Sequence, residues 1–90
     1  MPPKVNIEQE EQKIFKELFK IGFSTHYSED NETLLEFINM EEMSIIKIDK
    51  KGKRYIKVDY VTYTNFVPIS NKEHQLLHKL FELYGWFNEN

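Results

Sequence analysis

The chain has 90 residues, with 15 acidic and 12 basic side chains, a net charge of −3, 40% hydrophobic residues and no cysteine. That is the length of one domain with enough apolar material for a core, and the missing cysteines exclude disulfides, thiolate zinc sites and thiol nucleophiles. The acidic balance argues against general binding to nucleic acid or membrane surfaces, and Glu8, Glu10, Glu11 and Glu17 leave no signal peptide or membrane span in the opening stretch, so a cytoplasmic protein is expected.

Residues 1–5, with two prolines and no apolar period, read as a disordered tail, and 6–90 as a single domain. Asn6 followed by Gln9 resembles a capping box. Acids crowd the first turns beyond it, Lys16 and Lys20 close the helix, and Gly22 supplies a left-handed stop. Ile7, Ile14, Phe15, Leu18 and Phe19 recur at helical spacing, with Ile21 close to the stripe, which predicts one buried face. Phe23 to Tyr27 and Thr33 to Ile38 then read as two short strands joined across Ser28–Glu32, and Met40–Met43 turns the chain into a second hairpin.

That second hairpin, Ile45 to Asp59, is the clearest local signal. Asp49-Lys50-Lys51-Gly52 fits a type I turn closed by glycine, which makes 50–52 the loop and sets Ile46 opposite Ile56 and Lys47 opposite Tyr55. In that register Ile46, Ile48, Ile56 and Val58 share a core face, while Ile45, Lys47, Tyr55 and Lys57 share the other. Tyr60 to Thr64 keeps a β composition, so the strand either runs on or bends at a bulge near Asp59. Ser70-Asn71-Lys72-Glu73 is a capping box. It precedes a helical stripe of Leu77, Leu80, Phe81 and Tyr84, with Gly85 as the stop and Trp86 and Phe87 able to fold back onto the core.

The expected architecture is therefore α+β, a two-layer sandwich in the order helix, antiparallel meander of about four strands, helix (αββββα), with both helices on one face. Two charge blocks stand out. Lys47, Lys50, Lys51, Lys53, Arg54 and Lys57 oppose a single acid, Asp49, in the hairpin, while Glu29, Asp30, Glu32, Glu36, Glu41 and Glu42 precede it.

Four functional classes can be weighed on these residues. His74 and His78 stand at i and i+4, a spacing that presents two metal ligands, but no third ligand can be named and exposed histidines on a polar helix flank explain them, so no metal or cofactor is expected. The basic hairpin, Lys47, Lys50, Lys51, Lys53, Arg54 and Lys57 with Tyr55 interleaved, could contact phosphates and bases; lysines that keep strands soluble and block edge pairing are the plainer account. The acidic stretch from Glu29 to Glu42 could meet a basic surface, or could simply be solvated. Catalysis finds no constellation: Gly22, Gly52 and Gly85 each have a structural use, the serines lie in no nucleophile elbow, and no carboxylate pair can be assigned to a concave site.

Ile45, Val61, Tyr63 and either Leu34 or Ile38 remain as an apolar surplus on the face away from the helices, beside Tyr55. Such area marks an interface, so Ile45, Tyr55, Val61 and Tyr63 are the candidate contacts for a protein partner or for a homodimer. The expected function is a small non-catalytic protein-binding or regulatory module, and the alternative is nucleic-acid binding through residues 47–57.

Lys16-Glu17-Leu18-Phe19-Lys20-Ile21-Gly22-Phe23 and His74 to Trp86 give the chain a resemblance to small uncharacterised phage and prophage proteins of Gram-positive bacteria. These look like a helix ending in a Leu-x-x-Gly-aromatic turn, several strands, and a last helix ending in Leu-Gly-Trp, where this chain has Tyr84 in place of the leucine. The resemblance rests on caps and core positions and brings no catalytic residues. It implies a phage accessory role in the host cytoplasm.

Overall fold

The computed structural model describes residues 6–28, 33–49, 51 and 54–85. Helix α1 (Ile7–Lys20) is followed by strands β1 (Ser24–Tyr27), β2 (Thr33–Asn39), β3 (Ser44–Asp49) and β4 (Arg54–Asp59), then helix α2 (Asn71–Leu83). The strands form one antiparallel sheet in the order β1-β2-β3-β4. This is the expected αββββα meander. Lys50, Gly52, Lys53, Trp86, Phe87 and the tail 1–5 lie outside the described residues.

Both helices start where a side chain can satisfy their free N–H groups. Asn6 Oδ1 accepts from Gln9 N at 3.2 Å, and Ser70 and Glu73 form a reciprocal capping box. Gly22 ends the first helix at φ +102°, and a Cβ there would stand 3.0 Å from Asn39 Nδ2, so both conformation and space select glycine.

The two helices lie on the same face of the sheet. Ile14, Phe15 and Leu18 of α1 and Leu76, Leu77, Leu80 and Phe81 of α2 join Phe23, Leu35, Phe37, Ile46 and Ile48 in one buried cluster. Phe15 tilts onto Phe37, with ring centroids 5.7 Å apart. At the ends of the predicted α1 stripe the outcome differs: Ile7 is half exposed and Phe19 is 70% exposed, because both lie at the margin of the helix face that meets the sheet.

The hairpin register differs from the expected one by a single residue. Asp49 pairs with Arg54, Ile48 with Tyr55, Lys47 with Ile56, Ile46 with Lys57 and Ile45 with Val58. Since facing residues share a side of an antiparallel pair, this slip exchanges the two faces of β4. Tyr55 and Lys57 turn toward the helices, and Ile56 and Val58 turn away. Where the expected register set Asp49 opposite Lys53, Asp49 pairs with Arg54, and its Oδ1 accepts from Lys51 N at 2.9 Å.

Strand β4 neither runs on nor bulges after Asp59. The chain reverses: Asp59 O accepts from Tyr63 N, Asp59 Oδ1 accepts from Val61 N, and Asp59 N then donates to Asn65 O. Val67 N donates to Lys57 O, and Val58 forms an antiparallel bridge with Phe66. This return segment covers the outer face at one end of β4. It explains how Val58, at 2% exposure, and its neighbour Ile45, at 1%, are buried on the side away from the helices.

Candidate functional site

On the helix side, the inward turn of Lys57 creates a buried ionic network. Its ammonium is almost wholly enclosed and donates to Glu42 Oε1 at 2.7 Å and to Glu73 Oε1 at 2.8 Å, and it stands 5.5 Å from the centre of the Phe23 ring. Glu73 Oε1 also accepts from Ser70 N at 3.3 Å, while Asn39 accepts from Glu42 N at 2.9 Å and donates to Ile21 O at 3.4 Å. One chain of polar contacts thus ties the end of α1, the β2–β3 turn, β4 and the start of α2. Burial pulls the Lys57 pKa down, but hydrogen bonds and charge from Glu42 and Glu73 outweigh it and leave the group above the ordinary lysine value.

Tyr55 lies further along the same face. Its ring meets Phe81 edge-on at 5.5 Å, and its hydroxyl bonds His74 Nδ1. Burial raises the Tyr55 phenol, so the neutral form is favoured. The His74 and His78 rings lie tilted to one another with centroids 6.2 Å apart along α2, and His78 Nε2 is 3.2 Å from Glu82 Oε1. Among the described residues no group of three His, Cys, Asp or Glu side chains could hold a metal ion.

The outer face carries two cross-strand rows. The first runs Ser24, Ile38, Ile45, Val58 and on to Phe66; the second runs His26, Glu36, Lys47 and Ile56. Leu34, beyond a register shift in β2, packs against the helix-side core instead, which leaves Ile38 as the outward residue of that pair. Lys47 is roofed by Tyr63, its ammonium 5.0 Å from the ring centre, and Tyr63 packs on Tyr60 at 5.7 Å. The return loop therefore presents Val61, Tyr63 and Phe66 to solvent beside Ile56, and all four are exposed. Tyr63 holds φ +60°, a left-handed conformation that a bulky residue adopts only when its surroundings impose it.

Two of the four predicted partner contacts, Val61 and Tyr63, are on this surface. Ile45 is buried beneath it, and Tyr55 is on the opposite face for the reason of register given above. Of the cations assigned to the nucleic-acid alternative, Lys57 is buried and doubly paired, Lys47 lies under Tyr63, and Arg54 stands 3.9 Å from Asp49. Lys51 is exposed, and Lys50 and Lys53 are outside the described residues.

Ile56, which the expected register put on the core face, and Phe66 complete the surface. The alternation Ile56-Lys57-Val58 carried the signal for this. It can seat either its lysine or its two apolar neighbours inward, and two acids within reach, Glu42 and Glu73, decide for the lysine.

Compared with known proteins, the chain matches no family model, no curated protein and no solved structure. No described helix is long and apolar enough to cross a membrane.

Proposed function

We propose that the protein is a small non-catalytic binding module that engages a protein partner through the outer sheet face at Ile56, Val61, Tyr63 and Phe66. The observation that carries this reading is the return loop, which leaves Val61, Tyr63 and Phe66 all exposed and holds one of them, Tyr63, in a left-handed conformation. Several large apolar side chains exposed on one short loop cost solubility, and an interface is the use that offsets that cost. Tyrosine and phenylalanine suit the centre of such a contact because they bury large area with few rotatable bonds.

The polar clusters favour binding over catalysis. Lys57, Glu42 and Glu73 satisfy one another and hold elements together, and among the described residues Tyr55, His74, His78 and Glu82, along an exposed flank of α2, form no group of three ligands that could hold a metal ion. A phage accessory role agrees with a small binder of this type. The nucleic-acid alternative retains less support, since Lys47 and Lys57 are engaged within the fold.

Affinity capture with the wild-type protein and with a Val61→Ser, Tyr63→Ser, Phe66→Ser variant tests the reading, with light scattering to detect a second copy as the partner. The expected result is one species retained by the wild type and lost with the variant, whose circular dichroism is unchanged. A monomer that retains nothing, or a species retained equally by both, overturns it.

A further inference from the structure

The β3–β4 hairpin carries signals for two registers. Asp49-Lys50-Lys51-Gly52 has the composition of a type I turn closed by glycine, which pairs Asp49 with Lys53 and Ile46 with Ile56. The structure instead pairs Asp49 with Arg54 and Ile46 with Lys57, so that residues 50–53 connect the strands. The alternation of β4 is compatible with either arrangement. Ile56 and Val58 suit a core as well as Tyr55 does, and a shift of one residue exchanges the two faces of the strand.

What the shift would undo is electrostatic. The Lys57 side chain is 1% exposed, with Nζ 2.7 Å from Glu42 Oε1 and 2.8 Å from Glu73 Oε1, and the Glu73 side chain is itself only 10% exposed. One residue out of register, the ammonium turns to the outer face and Glu73 stays enclosed without its cation. The other losses are smaller, namely the edge-on contact of Tyr55 with Phe81 and the bond from Tyr60 N to Met43 O. An enclosed charge left unpaired costs more than one aromatic contact and one backbone bond at a turn. Arg54, the charge that the shift would turn toward the helices, is exposed at the first position of β4, so its long side chain reaches water from either face.

We infer that the Lys57–Glu42–Glu73 network is a register lock: β4 can pair with β3 in two ways one residue apart, and these three charges hold it in the register that its turn sequence does not favour. Fixing registry is the best-attested use of a buried ionic group, whose net contribution to stability against an apolar replacement is small. The lock also determines the outer surface. In the held register Ile56 faces outward opposite Lys47; in the other, Ile56 enters the core and Tyr55 takes its place. The inference concerns pairing within the chain and holds whether or not that surface meets a partner.

Two variants of the whole chain test it by NMR, through cross-strand NOEs. In Ile56→Lys with Lys57→Ile the lysine is moved one place along the strand and can meet Glu42 and Glu73 only if β4 slips. The expected spectrum pairs Ile46 with position 56 and Ile48 with position 54, while the wild-type contacts of Ile46 with position 57 and Ile48 with position 55 are at least about tenfold weaker. In Glu42→Gln with Glu73→Gln, Lys57 loses both carboxylates, and the same slip releases it to the outer face. This second variant keeps the β4 sequence and a side chain able to serve the Ser70 capping box, so it decides the matter where the first does not fold. Wild-type pairing retained by either variant overturns the inference. Loss of the fold in both also overturns it, because the second register is then not open to the chain.

Discussion

Lys57 ties β4 to the β2–β3 turn through Glu42 and to the start of α2 through Glu73. Its ammonium would be expensive to bury alone, and two carboxylates with further partners of their own offset that cost. Removing it leaves Glu73 nearly enclosed without its cation. Lys57→Met is therefore expected to lower unfolding free energy by about 3 kcal/mol, reduced from the full buried-pair range because Glu42 is partly in water. Adding Glu73→Gln, which can still serve the capping box, should recover at least about 1 kcal/mol, as urea denaturation of the four proteins in the cycle would show.

The same lysine sets a pH dependence. Its folded pKa lies above the ordinary value, so its stabilisation is complete below about pH 10 and is lost as pH rises through the higher folded value. Tyr55 and Tyr84, both raised by burial, act in the same direction in that range. The Lys57 share is isolated by comparison with Lys57→Met: the gap in urea midpoint between wild type and variant should be constant from neutral pH to about 9 and close at higher pH. A gap that widens with alkali contradicts the assignment.

At the scale of elements, the register of β3 with β4 decides which residues are available for function. Ile56 faces outward, so Ile56→Thr should change stability by less than about 1 kcal/mol, whereas Ile48→Ala, in the core, should cost about 2–5 kcal/mol. The expected glycine-closed register would make both costly, so the pair discriminates between the two.

The helices, their caps, the strands and their order were legible because each rests on local chemistry: Asn6 and Ser70 as caps, Gly22 and Gly85 as stops, apolar periods between. The register was not, because it depends on pairing Lys57 with Glu42 and Glu73, fifteen and sixteen residues away in sequence. The reversal after Asp59 was hidden for a related reason. Tyr-Val-Thr-Tyr-Thr has strand composition, and the bonds of Asp59 to Val61 and Tyr63, with Thr62 Oγ1 accepting from Thr64 N and Asn65 N, turn it into a loop.

For the whole molecule, the helix layer and the sheet divide the labour. The helix-side face is filled by one core and one ionic network, and the binding surface we propose is the return loop that the helices leave uncovered on the outer face. Val61 and Tyr63 were legible as part of that outer surface from their apolar surplus alone. Ile56 and Phe66 were not, since their placement follows from the register and the reversal.

The central claim is that the surface of Ile56, Val61, Tyr63 and Phe66 meets a protein partner. The most direct measurement is photo-crosslinking from a benzoylphenylalanine placed at position 63, compared with one at Gln75 on the exposed flank of α2, in extract of cells that make the protein. The account predicts one discrete adduct from position 63, abolished by Val61→Ser with Phe66→Ser, and none from position 75. The same adducts from both positions, or none from position 63, would contradict it.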